Sequence, residues 1–260
     1  MPEFNIHKDG QTYHLSSNIT QEEINDARES GEERRAARLI ERQAEQDRNV
    51  SLYREAAGPL LHELENQGYK VQQIADLYHM RLDYRPVIPI LLRHLSAARY
   101  LPLAEDIVRT LSIPSEHKQV VPALLALIRQ PPELYDPLRP ADAPSPREHL
   151  REVAGIIIGN IAKKDHLEEF ISIVEDDRYG TARCGLIEAL GRIKDDRAIN
   201  VLMNLLGDAD PQVVAFAVRA LGRQRAFNAR QRLEIMVNHD NDQVRRDARA
   251  VLRKFDKLAK

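Results

Sequence analysis

The 260-residue chain has no tryptophan, a single cysteine and only 5% aromatic residues. One cysteine, Cys184, allows no internal disulfide and excludes a cysteine-rich zinc site. Apolar runs are short and broken by charge, far below the roughly 20 residues a membrane helix requires. Neither sign of charge dominates, with 38 Lys and Arg against 40 Asp and Glu, so the whole chain is no polyelectrolyte. A glycine-rich phosphate loop, a nucleophile-elbow serine and a plausible pair of catalytic carboxylates are all missing. The histidines are scattered without a His-x-x-x-His pair, and His62-Glu63 is the only His-Glu dipeptide. No metal, cofactor or catalytic residue is therefore expected, and the histidines read as surface or packing residues. Polar and charged residues follow Met1, so no leader is expected and the cytoplasm is the expected location.

What the chain does have is an internal repeat. The segments Ala182-Arg-Cys-Gly-Leu-Ile-Glu-Ala-Leu-Gly191, Val213-Val-Ala-Phe-Ala-Val-Arg-Ala-Leu-Gly222 and Val244-Arg-Arg-Asp-Ala-Arg-Ala-Val-Leu252 superimpose. Their anchors Leu190, Leu221 and Leu252 recur about every 31 residues, and Ile158, Leu111 and Leu77 extend the series upstream. A second apolar set interleaves with the first. Leu167, Phe170, Ile173 and Val174 align with Ile199, Leu202, Leu205 and Leu206, and then with Arg230, Leu233, Met236 and Val237. Spacings of three and four residues place each set on one helical face. Each repeat is thus an antiparallel helix pair, A then B, and stacked pairs bury both stripes in one core.

The local signals agree. Asp210-Pro211 pairs an N-cap with proline at the first helical position, and Asn241 holds the equivalent place one repeat later. Gly159, Gly191 and Gly222 fall near the ends of B helices, where a glycine serves a left-handed cap or a close approach. The expected fold is all-α: a right-handed α-solenoid over residues 68–260, preceded by a β-hairpin and a charged helical region over residues 1–67. The hairpin expectation rests on alternation in residues 4–15 around Asp9-Gly10. A thin apolar stripe through Glu- and Arg-rich sequence suggests an exposed helix up to about Asn66, punctuated at Gly58-Pro59. Six prolines within residues 131–146 predict an extended loop inserted at residues 130–147.

The segment Asp210-Pro-Gln-Val-Val-Ala-Phe-Ala-Val-Arg-Ala-Leu-Gly222 resembles the B-helix signature of HEAT repeats, and is most similar to the short bacterial type first associated with phycobilisome lyases. That resemblance implies a repeat fold and carries no catalytic residue. Bilin-lyase activity is a remote alternative. Enzymes of HEAT-like fold that bind di-iron use several His-Glu dipeptides, and those that excise alkylated bases stack DNA on tryptophan. Both signatures are absent from this chain.

Charge is distributed unevenly along the repeats. Residues 219–260 hold twelve Lys and Arg against five Asp and Glu. Arg192, Arg223 and Lys254 each lie two residues past an anchor leucine, which predicts a cationic ladder on stacked helices. The candidate partner-binding residues are Arg183, Arg192, Arg219, Arg223, Arg246, Arg249 and Lys254, with Tyr135 of the inserted loop as a secondary candidate. The expected function is non-enzymatic binding of an acidic protein partner, of a regulatory or toxin-immunity type. The alternative is binding of a nucleic-acid backbone on the same cations. Cys184, next to Arg183, reads as a small core-edge residue or as a thiol with a lowered pKa.

Overall fold

The structure is a computed structural model that describes residues 5–8, 11–14, 21–29 and 33–258. It divides into two units, Met1–Ala56 and Ala57–Lys260. In the first unit, β1 (Asn5–Lys8) pairs antiparallel with β2 (Gln11–His14), Ile6 opposite Tyr13. Asp9 and Gly10, on which the hairpin expectation rests, lie outside the described residues. Helix α1 (Gln21–Glu29) follows, and then α2 (Glu33–Asn66), within which the two units divide. Most described side chains between Arg35 and Val50 are exposed, as a thin apolar stripe implies.

The break expected at Gly58-Pro59 does not occur, for α2 runs through Pro59. Proline removes one helical hydrogen bond there. Leu60 and Leu64, one turn apart and both fully buried, supply the packing that holds the helix past it.

The second unit is built of helix pairs. A short helix α3 (Asp76–His79) comes first, where the repeat spacing predicted a longer B helix around Leu77. Five pairs follow: α4 (Ile88–Ala97) with α5 (Leu101–Thr110), α6 (His117–Arg129) with α7 (Pro146–Ile161), α8 (Leu167–Val174) with α9 (Arg183–Leu190), α10 (Asp196–Asn204) with α11 (Pro211–Gln224), and α12 (Arg230–Met236) with α13 (Asp242–Leu258). The B helices α5, α7, α9, α11 and α13 contact one another in chain order, and each A helix packs on its own B helix. This is the all-α solenoid that the periodicity predicts.

Anchor residues fill the seam between layers. Leu77, Leu111, Ile158, Leu190 and Leu221 are fully buried. Leu252 on α13 is only half-buried. The A-helix set fades the same way: Leu167, Phe170, Ile173 and Val174 are all buried, whereas α12 buries only Leu233.

Caps form where the sequence places them. Asp210 Oδ1 accepts from the Gln212 N–H at 2.8 Å, and Asn241 Oδ1 from the Gln243 N–H at 2.9 Å. Ser145 and Glu148 form a reciprocal capping box at the start of α7. Gly159, Gly191 and Gly222 serve close approach rather than left-handed caps, since none of them has a positive φ. A Cβ at Gly159 would lie 2.7 Å from the Gly185 carbonyl oxygen, and one at Gly222 would lie 2.5 Å from a Val251 methyl.

Candidate partner-binding surface

The candidate cations belong to the B layer, and the structure separates them into two groups. Arg183, Arg219 and Arg223 are engaged by carboxylates of neighbouring helices. Arg192, Arg246, Arg249 and Lys254 are not.

Arg183 corrects an expectation. Placed at a partner-facing surface by its charge, it is in fact 3% exposed. As the first residue of α9 it points back into the seam rather than outward. Its guanidinium donates to Asp208 at 2.7 and 3.1 Å, to the Gly180 carbonyl at 3.0 Å and to the Val174 carbonyl at 3.3 Å. Burial raises the pKa of Asp208, but hydrogen bonds from Arg183 and from the Asp210 N–H outweigh it, and the net shift is downward. The pair therefore stitches the end of α8 and the start of α9 to the turn before α11.

Arg219 lies over the Phe216 ring at 4.2 Å and donates to Asp247 of α13 at 2.7 Å. Arg223 donates to Glu188 of α9 at 2.9 Å. Upstream the pattern continues: Glu105 of α5 binds Arg109 at 2.6 Å and His149 of α7 at 3.0 Å. Burial pushes Glu105 up, yet His149 and Arg109 bring it down to about 2. Thr181 donates to Glu152 across the next step. The expected cationic ladder is thus partly a ladder of opposite charges that ties one B helix to the next. Net charge along the sequence could not reveal this, because the partners lie 28 to 44 residues away.

Arg192 keeps its charge facing outward. It is exposed and makes no ion pair with a carboxylate among the described residues. Partial desolvation and repulsion from Arg223 hold its pKa below the usual guanidinium value, with Glu188 opposing them. Lys254 donates to the Gly222 carbonyl at the end of α11, at 3.1 Å. That caps the negative end of the helix and leaves the ammonium without a carboxylate.

Helix α13 carries four cations that make no ion pair with a carboxylate among the described residues. Arg246, Arg249, Arg253 and Lys257 recur every three or four residues, so they share one face of α13, and all four are exposed. The opposite face, Val244, Ala248, Val251 and Phe255, is buried. All three carboxylates of α13 are engaged elsewhere: Asp242 by Arg245, Asp247 by Arg219 and Asp256 by Arg230. Arg246 reaches only the Gln243 amide oxygen, at 3.0 Å, and Arg249 only the Val237 carbonyl, at 3.5 Å. Lys257 was not singled out from the sequence. Its spacing to Arg253 was the available signal.

Tyr135 is pinned rather than free. Its N–H donates to the Arg99 carbonyl at 2.8 Å and its carbonyl accepts from Leu101 at 3.0 Å. Its ring lies 5.5 Å from that of Tyr100 while half of the residue remains exposed. Arg147, bound to Glu133 at 2.8 Å, ties the loop to the start of α7. Residues 131–145 form no helix, as their prolines require.

Cys184 is buried, and burial pushes its thiol up to about 12, with Asp210 adding to the effect and Arg183 opposing it. The adjacent arginine pulls it down by less than burial pushes it up. Native protein at pH 8 is therefore expected to leave an aromatic disulfide reagent unreacted, with one thiol titrating after denaturation. Rapid labelling of the folded chain would contradict this placement. Among the described residues there is no cluster of three or more His, Cys, Asp or Glu able to hold a metal, and no helix long and apolar enough to cross a membrane.

The family model described as HEAT repeats matches residues 167–253. No curated protein matches the chain. Among solved structures, a designed armadillo repeat protein in complex with the peptide (KR)4 is similar at 15% identity and a TM-score of 0.40, covering 80% of this chain and 90% of that one. The matched residues run from the start of α8 into α13, so the similarity to HEAT repeats falls on three consecutive A and B pairs.

Proposed function

We propose that this chain is a non-enzymatic binding module of a regulatory kind, whose C-terminal repeats receive an acidic protein surface. The observation that carries the reading is the row Arg246, Arg249, Arg253 and Lys257, exposed on one face of α13 while every carboxylate of that helix is bound to another arginine. Lys254 on α13 and Arg192 in the turn after α9 add further positive charge to the B layer. Four cations within about 16 Å of helix, at 1.5 Å per residue, match a cluster of carboxylates on one face of a partner. Stacked repeats hold such side chains in place, so the partner docks with little rearrangement. Arg183 has no part in this surface, and Arg219 and Arg223 contribute through their ion pairs to the rigidity of the layer. Aromatic residues are absent from the row, which disfavours stacking of single-stranded nucleic acid.

The test compares two baits in lysate of the native host, the wild type and Arg246→Glu/Arg249→Glu/Arg253→Glu, each with and without nuclease. An acidic protein retained by the wild type after nuclease, and bound about 100-fold more weakly by the variant once purified, supports the reading. Equal retention by both baits overturns it. Nucleic acid alone, lost on nuclease treatment and bound with a steep salt dependence, replaces it with the backbone-binding alternative.

A further inference from the structure

We infer that the contact between His117 and His166 is a pH-sensitive latch joining the A helices of two consecutive repeats, closed while His117 is neutral and released when acid charges it. The two residues are 49 positions apart in sequence and meet only in the fold. His117 opens α6, and His166 is the residue immediately before α8. Their rings sit edge to face at 5.9 Å, with Phe170 6.0 Å from His166 on the far side. His117 is 4% exposed and His166 8% exposed, and they are two of only four buried polar or charged residues among those described.

Both rings carry an unsatisfied atom. Nδ1 of His117 and Nε2 of His166 are buried and have no hydrogen-bond partner. A neutral imidazole leaves one nitrogen as an acceptor and tolerates such a site. An imidazolium makes both nitrogens donors, so each added proton places an unmatched N–H and a charge in an apolar seam.

The surroundings add to that penalty. Lys118 on α6 and Lys163 in the turn before α8 both act on His117 with the same sign as its own proton, and His166 does so once charged. Asp165 alone opposes them. Each ring also stands at the positive end of a helix, where a cation is disfavoured. Burial, followed by Lys163, accordingly holds the His117 pKa below its ordinary value.

The sign of the pH dependence follows. In the unfolded chain His117 takes up a proton near pH 6.5, whereas in the folded chain it does so only at lower pH. Its contribution to stability is therefore complete above about pH 6.5 and is lost as pH falls below that value toward the folded pKa. The loss is local to the α6–α8 junction, since stacked repeats interact with their neighbours only. Acid thus loosens one seam in the middle of the second unit while α11 and α13 stay packed.

Hydrogen exchange of the full chain at pH 7.5 and 5.5, normalised to intrinsic rates, tests this directly. Amides in the first turns of α6 and α8 are expected to lose severalfold in protection at the lower pH. Those of α11 are expected to change less than about twofold. His117→Phe keeps an aromatic ring without a titrating group, and should abolish the acid-dependent loss. His117→Gln serves if the phenylalanine variant does not fold. Imidazole proton resonances of the wild type give an independent reading, with His117 expected to titrate below pH 6.5. Unchanged protection across the two pH values, an equal loss in the non-titrating variant, or titration of His117 at the free value overturns the latch.

Discussion

Gly185→Val is expected to remove about 4 kcal/mol of stability, beyond the usual range for overpacked cores because the obstruction is backbone. A Cβ at this position of α9 would stand 2.0 Å from the Gly155 carbonyl oxygen and 2.6 Å from the Ile156 nitrogen, both on α7. No rotamer relieves a clash with main chain, so the two B helices must separate. The approach is tight from α7 as well, for a Cβ at Gly155 would lie 2.4 Å from the carbonyl oxygen of Ala182, the residue before α9. Separating α7 from α9 also pulls apart the Thr181–Glu152 bond and opens the seam around Ile158 and Leu186. Thermal unfolding should therefore shift down by about 8 to 16 °C, at roughly 2 to 4 °C per kcal/mol for a unit of this size. Gly207→Ala is the control, since nothing lies within 4 Å of a Cβ there and its φ is not positive. It should be neutral or slightly stabilising. Equal melting temperatures for Gly185→Val and the wild type would refute the close approach.

Arg183→Met is expected to lose about 3 to 5 kcal/mol, the range for removing one partner of a buried ion pair. The side chain is almost wholly enclosed, and four hydrogen bonds to three residues depend on it. Without it, Asp208 is left 12% exposed with only the Asp210 N–H to stabilise its charge. Adding Asp208→Asn should return at least half of the loss, because the unpaired charge rather than the missing attraction dominates.

Acid separates the two states further. In the wild type the Asp208 pKa is lowered on folding, so its contribution is present above about pH 3.8 and is lost as pH falls through the folded value. In Arg183→Met the same carboxyl is buried without its cation and its pKa rises above the unfolded value, so the variant gains on the wild type as pH decreases. Denaturant titrations at pH 7 and pH 4 measure both effects. A loss below 1 kcal/mol at pH 7 would show that Arg183 is not the keystone its contacts describe.

These two sites differ in how visible they are in the sequence. The glycines at the ends of B helices stand out by their period, and the sequence left two roles open for them. Only the structure chooses, because a left-handed cap and a close approach both favour glycine but place the neighbouring helix differently. Gly185 lies in the first turn of α9, and its need for a bare backbone appears only once α7 is beside it. Arg183 was misjudged for a related reason. Charge predicts exposure on average, and the exception requires a partner, Asp208, that is 25 residues distant.

The candidate surface was legible in part. Arg246 and Arg249 could be chosen from charge density and helical spacing, and Arg253 and Lys257 continue the same face. Whether a cation is free depends instead on which carboxylates reach it, and that is decided between helices. The histidines give the sharpest contrast. Scattered singly, they offer no signal in sequence, yet the fold sets two of them ring to ring in a buried seam.

Helical periodicity, a repeat of about 31 residues and the caps at Asp210 and Asn241 were sufficient for the all-α architecture and for the order of A and B helices. Those are local properties: the spacing of apolar residues along one helix and hydrogen bonds within a turn act over a few residues, so they are written in contiguous sequence. Packing settled the rest: the burial of Arg183, the engagement of Arg219 and Arg223, the high thiol pKa of Cys184, the half-burial of Leu252 and the meeting of His117 with His166. Each depends on which groups from distant segments come within a few ångströms. Solvation and Coulomb energies vary steeply over such distances, and the residue order leaves them unstated until the helices stack.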